Sequence, residues 1–323
     1  MDADVWYAVY NAIDQFASHN DTGSICSNPS RLDEVKRLLN DKKCQFVNIN
    51  MSRGTGNNQH RPLEIAVYHQ DAELVKILLE GGADPNLRPG SGLTTLMHRL
   101  ASWTQRSLHP LIIPDDREPI FRLLSDHNAD FNAIDYRGRT PLHNIYTLSY
   151  MLNSTVTNPT PIGVDTSLET LFIKYGADVS KRTPDGGTAL YLAIFTECAE
   201  RVQFLIDHGA DVNERYHLNR TPLHTVVANT DIDGDINSEN MVKLLMGNGA
   251  NADEDDQGYT AADLAYLEGF PSLSTFIDKQ FQIRRQRDIA FVMGQHPCLG
   301  GGSMVQWLDP ELARMVLNRT RMR

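Results

Sequence analysis

Cysteine is scarce in this sequence. Its 323 residues hold four, Cys26, Cys44, Cys198 and Cys298, and no two of them form a CxxC pair. That spacing excludes a disulfide framework and a cysteine-rich zinc site, and free thiols are expected. Long apolar runs are missing too. No window of about 18 uncharged apolar residues is present to span a bilayer, and Met1-Asp2-Ala3-Asp4 is acidic where a secretory signal would be basic. An intracellular chain without a membrane partner is therefore expected. Basic charge is also in short supply, the formal net charge being −11. This argues against the nonspecific phosphate attraction of a basic face, so no nucleic-acid partner is expected. The deficit is uneven: residues 281–323 carry seven arginines and three acids, a balance of +4, which leaves −15 for residues 1–280.

What is present is an ordinary globular composition, 41% hydrophobic and 22% charged, laid out as a repeat. Thr140-Pro141-Leu142-His143 recurs as Thr221-Pro222-Leu223-His224. Degenerate copies start at Arg61, Thr94, Thr188 and Thr260, giving spacings of 33, 46, 48, 33 and 39 residues. A second marker follows most of them in phase: Leu78-Leu79-Glu80-Gly81-Gly82-Ala83-Asp84-Pro85-Asn86, then Leu123 to Asn132, Leu171 to Ser180, Leu205 to Asn213 and Leu244 to Asp253. A fixed period of this length implies a stack of supersecondary units.

Each motif position has a physical task. Proline in the first helical turn gives up an N–H that lacks an intrahelical partner anyway, and the threonine before it caps that turn. Leu63, Leu142, Leu190 and Leu223 share one phase and face a neighbouring repeat, while the paired leucines put a second apolar stripe on the following helix. Gly82, Gly176, Gly209 and Gly249 suit left-handed caps that end that second helix.

Over residues 58–273 the chain resembles the ankyrin-repeat family, whose unit is a β-turn and two antiparallel helices. The resemblance implies an all-α ankyrin-repeat solenoid of six to seven helix pairs. Three long insertions inside repeats are expected as loops: Ser102 to Asp116 and Asn153 to Asp165, both with prolines, and the acidic Asp231 to Asn237. Residues 1–56 read as a diverged N-terminal capping repeat, with Val5, Trp6, Val9, Ile13 and Phe16 at helical spacing. Residues 57–279 read as the array, and 280–323 as a helical C-terminal extension.

Catalytic apparatus is not visible. The sequence has no HExxH pair, GxSxG elbow, GxxxxGKS or GxxxxGKT loop, and neither a metal nor a cofactor is called for. His143 and His224 sit inside the repeat motif, where the resemblance assigns them to local hydrogen bonding. Asp231, Asp233 and Asp235 alternate as in a calcium loop, but Val242 stands where its final glutamate belongs. Asp253 to Asp256 read as a solvated acidic finger. The competing reading, an effector enzyme with a hydrolytic site, rests on His296 and Cys298, two residues apart on one segment.

An ankyrin stack exposes a continuous face of inner helices and projecting fingers, so the resemblance implies a non-catalytic adaptor that captures another protein. The finger positions are Arg88, Tyr136, Arg137, Arg139, Lys181, Arg182, Arg215, Tyr216 and Arg220. They form a basic and aromatic row on an acidic body, suited to an acidic or mixed-charge protein partner.

The tail differs from the repeats. Gln280 to Met293 read as a partly basic helix, followed by a Pro and Gly break. Leu308-Asp309-Pro310-Glu311-Leu312 with Met315, Val316 and Leu317 is similar to the opening of an F-box. Ankyrin arrays with truncated tails of this kind resemble those of large DNA viruses, which implies cytoplasmic work in a host cell and recruitment of Skp1 of a cullin ubiquitin ligase. The alternative is that residues 280–317 fold back as a capping helix pair over the last repeat, covering Ala265 and Phe270.

Overall fold

The computed structural model describes residues 37, 49–50, 61–68, 70–88, 94–106, 117–153, 166–230, 236–255 and 257–294. The expected N-terminal capping repeat and most of the three insertions lie outside them. Two compact units divide the chain, residues 1–217 and 218–323. Among the described residues all regular structure is helical.

In the first unit, short helices that open on the repeat motif alternate with the helices that follow them. The openers are α1 (Pro62–Tyr68), α3 (Leu96–Arg106), α5 (Pro141–Asn153) and α7 (Ala189–Ile194). Their followers are α2 (Ala72–Glu80), α4 (Glu118–Asp126), α6 (Ser167–Lys174) and α8 (Ala199–Asp207). The openers pack on one another in order, α1 on α3, α3 on α5 and α5 on α7, while α2, α4 and α6 form a second, outer layer. The apolar stripes meet between these layers. Met97, Leu142, Ile145, Leu190 and Ile194 are fully buried from the inner side. From the outer side Phe121 packs edge-on against Phe172, ring centroids 5.1 Å apart.

The second unit repeats the scheme with α9 (Pro222–Ala228) and α10 (Ile236–Gly247), then α11 (Ala261–Leu267) and α12 (Pro271–Gly294). Here α9 packs on α11 and α10 on α12. The boundary expected at residue 279/280 falls inside α12, which runs unbroken for 24 residues. Arg284, beyond that boundary, reaches back to donate to the Ala250 carbonyl at 2.7 Å. No glycine or proline interrupts the segment, so the fading repeat pattern marks a change of surface charge and not a helix end. Similarly, α3 continues through Arg106, into a segment expected as loop.

Two backbone devices set the repeat boundaries. Outer helices end on a left-handed residue whose successor bonds back to the last turn: Gly176 has φ +100°, and Ala177 N–H donates to the Phe172 carbonyl at 2.9 Å. After α4 the same place is filled by Asn128, φ +58°, a substitution the glycine pattern did not reveal. The second device is a ladder of asparagines. Asn86 accepts from Asp130 N–H at 2.7 Å and donates to the Asn128 carbonyl at 2.7 Å. Asn132 does the same with Asp178 N–H (2.8 Å) and the Gly176 carbonyl (2.7 Å).

Ser180 then takes the asparagine's place and turns its hydroxyl back to Asp178 Oδ1 at 2.6 Å. Ser180→Asn is expected to extend the ladder to Gly209 and Asp211, the equivalents of Gly176 and Asp178. The expected gain is about 1 kcal/mol of stability, read as a higher urea midpoint. An unchanged midpoint would refute it.

Candidate protein-interaction surface

The inner helices begin on a capping arrangement that in three of them also ties the repeat to the next. Thr140 caps α5, and His143, three residues on, places Nδ1 at 3.2 Å from Thr140 N and 2.8 Å from its hydroxyl. A backbone N–H only donates, so Nδ1 accepts, and the ring proton resides on Nε2. That proton points at the Gly187 carbonyl, 3.3 Å away in the following repeat. His224 repeats the arrangement on Thr221, with Nε2 at 2.9 Å from the Tyr259 carbonyl. His98 does so on Thr95, with Nε2 at 2.8 Å from the Arg139 carbonyl.

The copy read from Thr94 therefore starts one residue later, at Thr95. Two adjacent threonines hid the phase, and with it the third histidine. Burial holds His143 neutral, its pKa lowered to about 4, and burial lowers that of His98 as well. The local hydrogen bonding expected of His143 and His224 is thus present, with a bridge to the next repeat added.

Other residue types fill the histidine position in the remaining repeats. Glu64 accepts from Arg61 N–H at 3.1 Å and pairs with Arg99 at 3.3 Å. Asp263 accepts from Thr260 N–H at 3.0 Å. Tyr191 instead donates its own N–H to Thr188, and its ring meets Tyr216 edge-on at 4.7 Å.

The carbonyl that receives the histidine proton lies at the base of a finger. In the best-defined one, Asp135 N–H donates to the Arg139 carbonyl at 2.9 Å, and Gly138 N–H to the Asp135 carbonyl at 3.0 Å. The Asp135 carboxylate fills the turn, accepting from the N–H groups of Arg137 (2.8 Å) and Arg139 (2.9 Å). Gly138 is needed twice over: its φ is +70°, and a Cβ there would lie 2.4 Å from Pro184 Cδ in the adjoining finger. The result is a rigid tip. Tyr136 stands on it 60% exposed, and the exposed Arg137 guanidinium lies 5.1 Å from the centre of its ring.

The other expected finger residues divide into two sets. Arg88 and Lys181 are exposed, as the reading requires. Arg182 is exposed but already engaged, pairing with Glu214 at 2.7 Å and donating to the Arg215 carbonyl at 2.7 Å. Arg139 and Arg215 are half-buried, and Arg139 approaches the Thr147 hydroxyl at 3.4 Å.

Tyr216 is a correction. It is only 8% exposed, its ring packs on Tyr191, and burial drives its hydroxyl pKa far upward. Tyr216 stands five residues before its cap, Thr221, the place that Asp135 holds before Thr140 and Asp255 before Thr260, and this place is buried in each of these fingers. Arg220, in the second unit, is half-buried and pairs with Asp255 at 3.7 Å. Asp255, expected in water, is buried and accepts from the N–H groups of Gln257 and Tyr259 as Asp135 does in its own finger. The tip that remains in the first unit is Tyr136 with Arg137, accompanied by the exposed Arg88 and Lys181.

Comparison with known proteins settles the architecture. A family model described as an ankyrin repeat matches residues 58–89, and one of three ankyrin repeats in tandem matches residues 163–235. The chain carries ankyrin repeats. It is 25% identical over 267 residues to an ankyrin repeat protein of Acanthamoeba polyphaga mimivirus, an alignment covering 78% of this chain and 33% of that protein. Over 106 residues it is 31% identical to the 26S proteasome regulatory subunit p28 of Saccharomyces cerevisiae, covering 32% of this chain and 43% of the subunit. Over 170 residues it is 29% identical to the mouse B-cell lymphoma 3 protein homolog, covering 45% and 36%. The chain thus spans a third to less than half the length of these curated relatives.

Among solved structures it superposes on the ankyrin repeat domain of Bcl-3 with a TM-score of 0.55 at 20% identity, covering 79% of this chain and 92% of that domain. The all-α ankyrin-repeat solenoid implied by the motifs is the fold of this chain.

Leu308, Pro310, Glu311, Leu312, Met315, Val316 and Leu317, which carried the Skp1 expectation, lie outside the described residues. So do His296 and Cys298. Among the described residues no group of three or more His, Cys, Asp and Glu side chains is set to hold a metal ion, and no helix is long and apolar enough to cross a membrane.

Proposed function

We propose that this ankyrin array is a protein-interaction scaffold whose finger surface in the first unit, Tyr136 and Arg137 with Arg88 and Lys181, takes an acidic polypeptide segment. The observation that carries the reading is the Asp135–Arg139 finger. A large aromatic ring and a guanidinium are held out in water on a turn whose backbone is fixed by Asp135 and Gly138. Such a tip is ordered before it binds, so little conformational entropy remains to be lost on association. Tyr and Arg are also the side chains that most often dominate interface energies.

The fingers carry cations on a chain of net charge −11, so an acidic segment would be drawn to them and turned away from the rest. A partner captured by the intact chain and identified by mass spectrometry is expected to bind the R88A/Y136A/R137A/K181A variant at least about tenfold more weakly. Its affinity for the intact chain should fall with added salt. The four side chains are exposed, so circular dichroism should not change. Undiminished affinity in a folded variant would place the contact elsewhere.

A further inference from the structure

Numbered from the capping residue, the third and sixth residues of an inner helix share one face, and in α5 both meet the following repeat. The third is the histidine position, whose bridges to Arg139, Gly187 and Tyr259 all run forward along the chain. The sixth lies one turn further along the same face: Tyr146 is fully buried, with the Arg201 guanidinium of the next repeat 5.9 Å from its ring. In the five inner helices before the last, that sixth residue is Val67, Ala101, Tyr146, Ile194 or Val227, and none is more than 3% exposed. In α11 it is Tyr266, 69% exposed, and the third residue, Asp263, is exposed as well. The last described repeat therefore presents this face with none of the described residues seated on it.

We propose that residues 308–317 of the same chain seat there as a half-repeat. Their sequence has the form of an inner helix: Asp309 and Pro310 stand as Thr140 and Pro141 do, a capping side chain followed by proline at the first helical position. Leu312, Met315 and Val316 supply an apolar stripe to meet Tyr266 and its exposed neighbour Leu267.

Charge matches also. Three earlier repeats offer an imidazole N–H to the repeat that follows, whereas α11 offers the carboxylate of Asp263 beside the exposed Glu268, and the tail brings Arg314, Arg319, Arg321 and Arg323. The chain is long enough to return. Residues 295–307 extend to at most about 45 Å, against a length of about 36 Å for the whole of α12.

Hydrogen exchange on the full chain, read by mass spectrometry, tests this. Amides of residues 311–317 are expected to exchange at least about 100-fold more slowly than in the isolated peptide, independently of protein concentration. Tyr266→Arg changes an exposed side chain, so α9 and α10 should keep their protection while that of 311–317 is lost. The reciprocal L312D/M315D variant should leave α9 and α10 equally unchanged. Peptide-like exchange of 311–317 in the unaltered chain would overturn the proposal by leaving the face for another protein. Protection that falls on tenfold dilution would assign it to a second copy. Protection that survives Tyr266→Arg would place the tail elsewhere.

Discussion

Lowering the pH from 7 to 5 is expected to cost the folded chain about 2 kcal/mol through His143 alone. The sign follows from the two protonation states. In the unfolded chain His143 titrates near 6.5, and in the folded chain burial lowers this to about 4. Above 6.5 the ring is neutral in both states and the full stability is present. Between 6.5 and 4 the unfolded state binds the extra proton, so stability is lost as the pH falls, by about 3 kcal/mol in total. Below 4 this loss is complete.

Geometry gives the same direction. A proton added at Nδ1 would face the Thr140 N–H at 3.2 Å, donor against donor, and the cap would open. His98 is depressed by burial too and adds to the loss. Urea midpoints at pH 7, 6 and 5 measure the slope, and they do so mostly above the range where carboxylates titrate. His143→Gln should flatten it. A midpoint indifferent to pH over this range would show that the ring is not held in the neutral form described.

Tyr216→Ala should destabilise the first unit by about 3 to 5 kcal/mol, the cost of emptying a buried aromatic site. Tyr136→Ala, two fingers earlier, should stay within about 0.5 kcal/mol. The contrast is between two finger tyrosines one register apart, Tyr216 five residues before its cap Thr221 and Tyr136 four residues before Thr140. Tyr216 packs on Tyr191 at 4.7 Å and is buried, whereas Tyr136 is 60% exposed, with the Arg137 guanidinium 5.1 Å from its ring. Thermal or urea denaturation of the two single variants decides the matter, and similar losses from both would remove the distinction on which the finger surface is drawn.

The repeats themselves were legible because their punctuation is chemical. Proline at the start of a helix and a left-handed glycine at its end are residue choices that few other conformations demand, and Thr140, Pro141, Gly82 and Gly249 lie where the motif put them. The pattern is masked where one residue type substitutes for another with the same physics. Asn128 adopts the left-handed conformation without being glycine. Thr95 caps in place of Thr94. Glu64 and Asp263 close the capping arrangement with a carboxylate in place of an imidazole.

The candidate surface is less legible in the sequence, because exposure at a finger depends on what the adjoining repeat offers. Glu214 and the Arg215 carbonyl take up Arg182, Asp255 takes up Arg220, and Tyr191 receives Tyr216. None of these pairings has a fixed separation in the sequence. Residues 280–293 were legible as a helix, but not as the continuation of residues 271–279, because the apolar rhythm fades where the segment turns basic while the helix runs on.

The forward bridge made by each histidine bears on how such a chain tolerates growth. It joins neighbours at the capped ends of the inner helices, and in all three cases the acceptor is the residue just before the next cap: Arg139 before Thr140, Gly187 before Thr188, Tyr259 before Thr260. The added segments sit at the opposite ends of those helices, after α3, α5 and α9. A seam stitched along one margin leaves the other free to bulge. Lengthening the polypeptide there alters the outline of a repeat while the pitch between repeats stays fixed by the stitch, so new surface can be acquired without re-registering the stack.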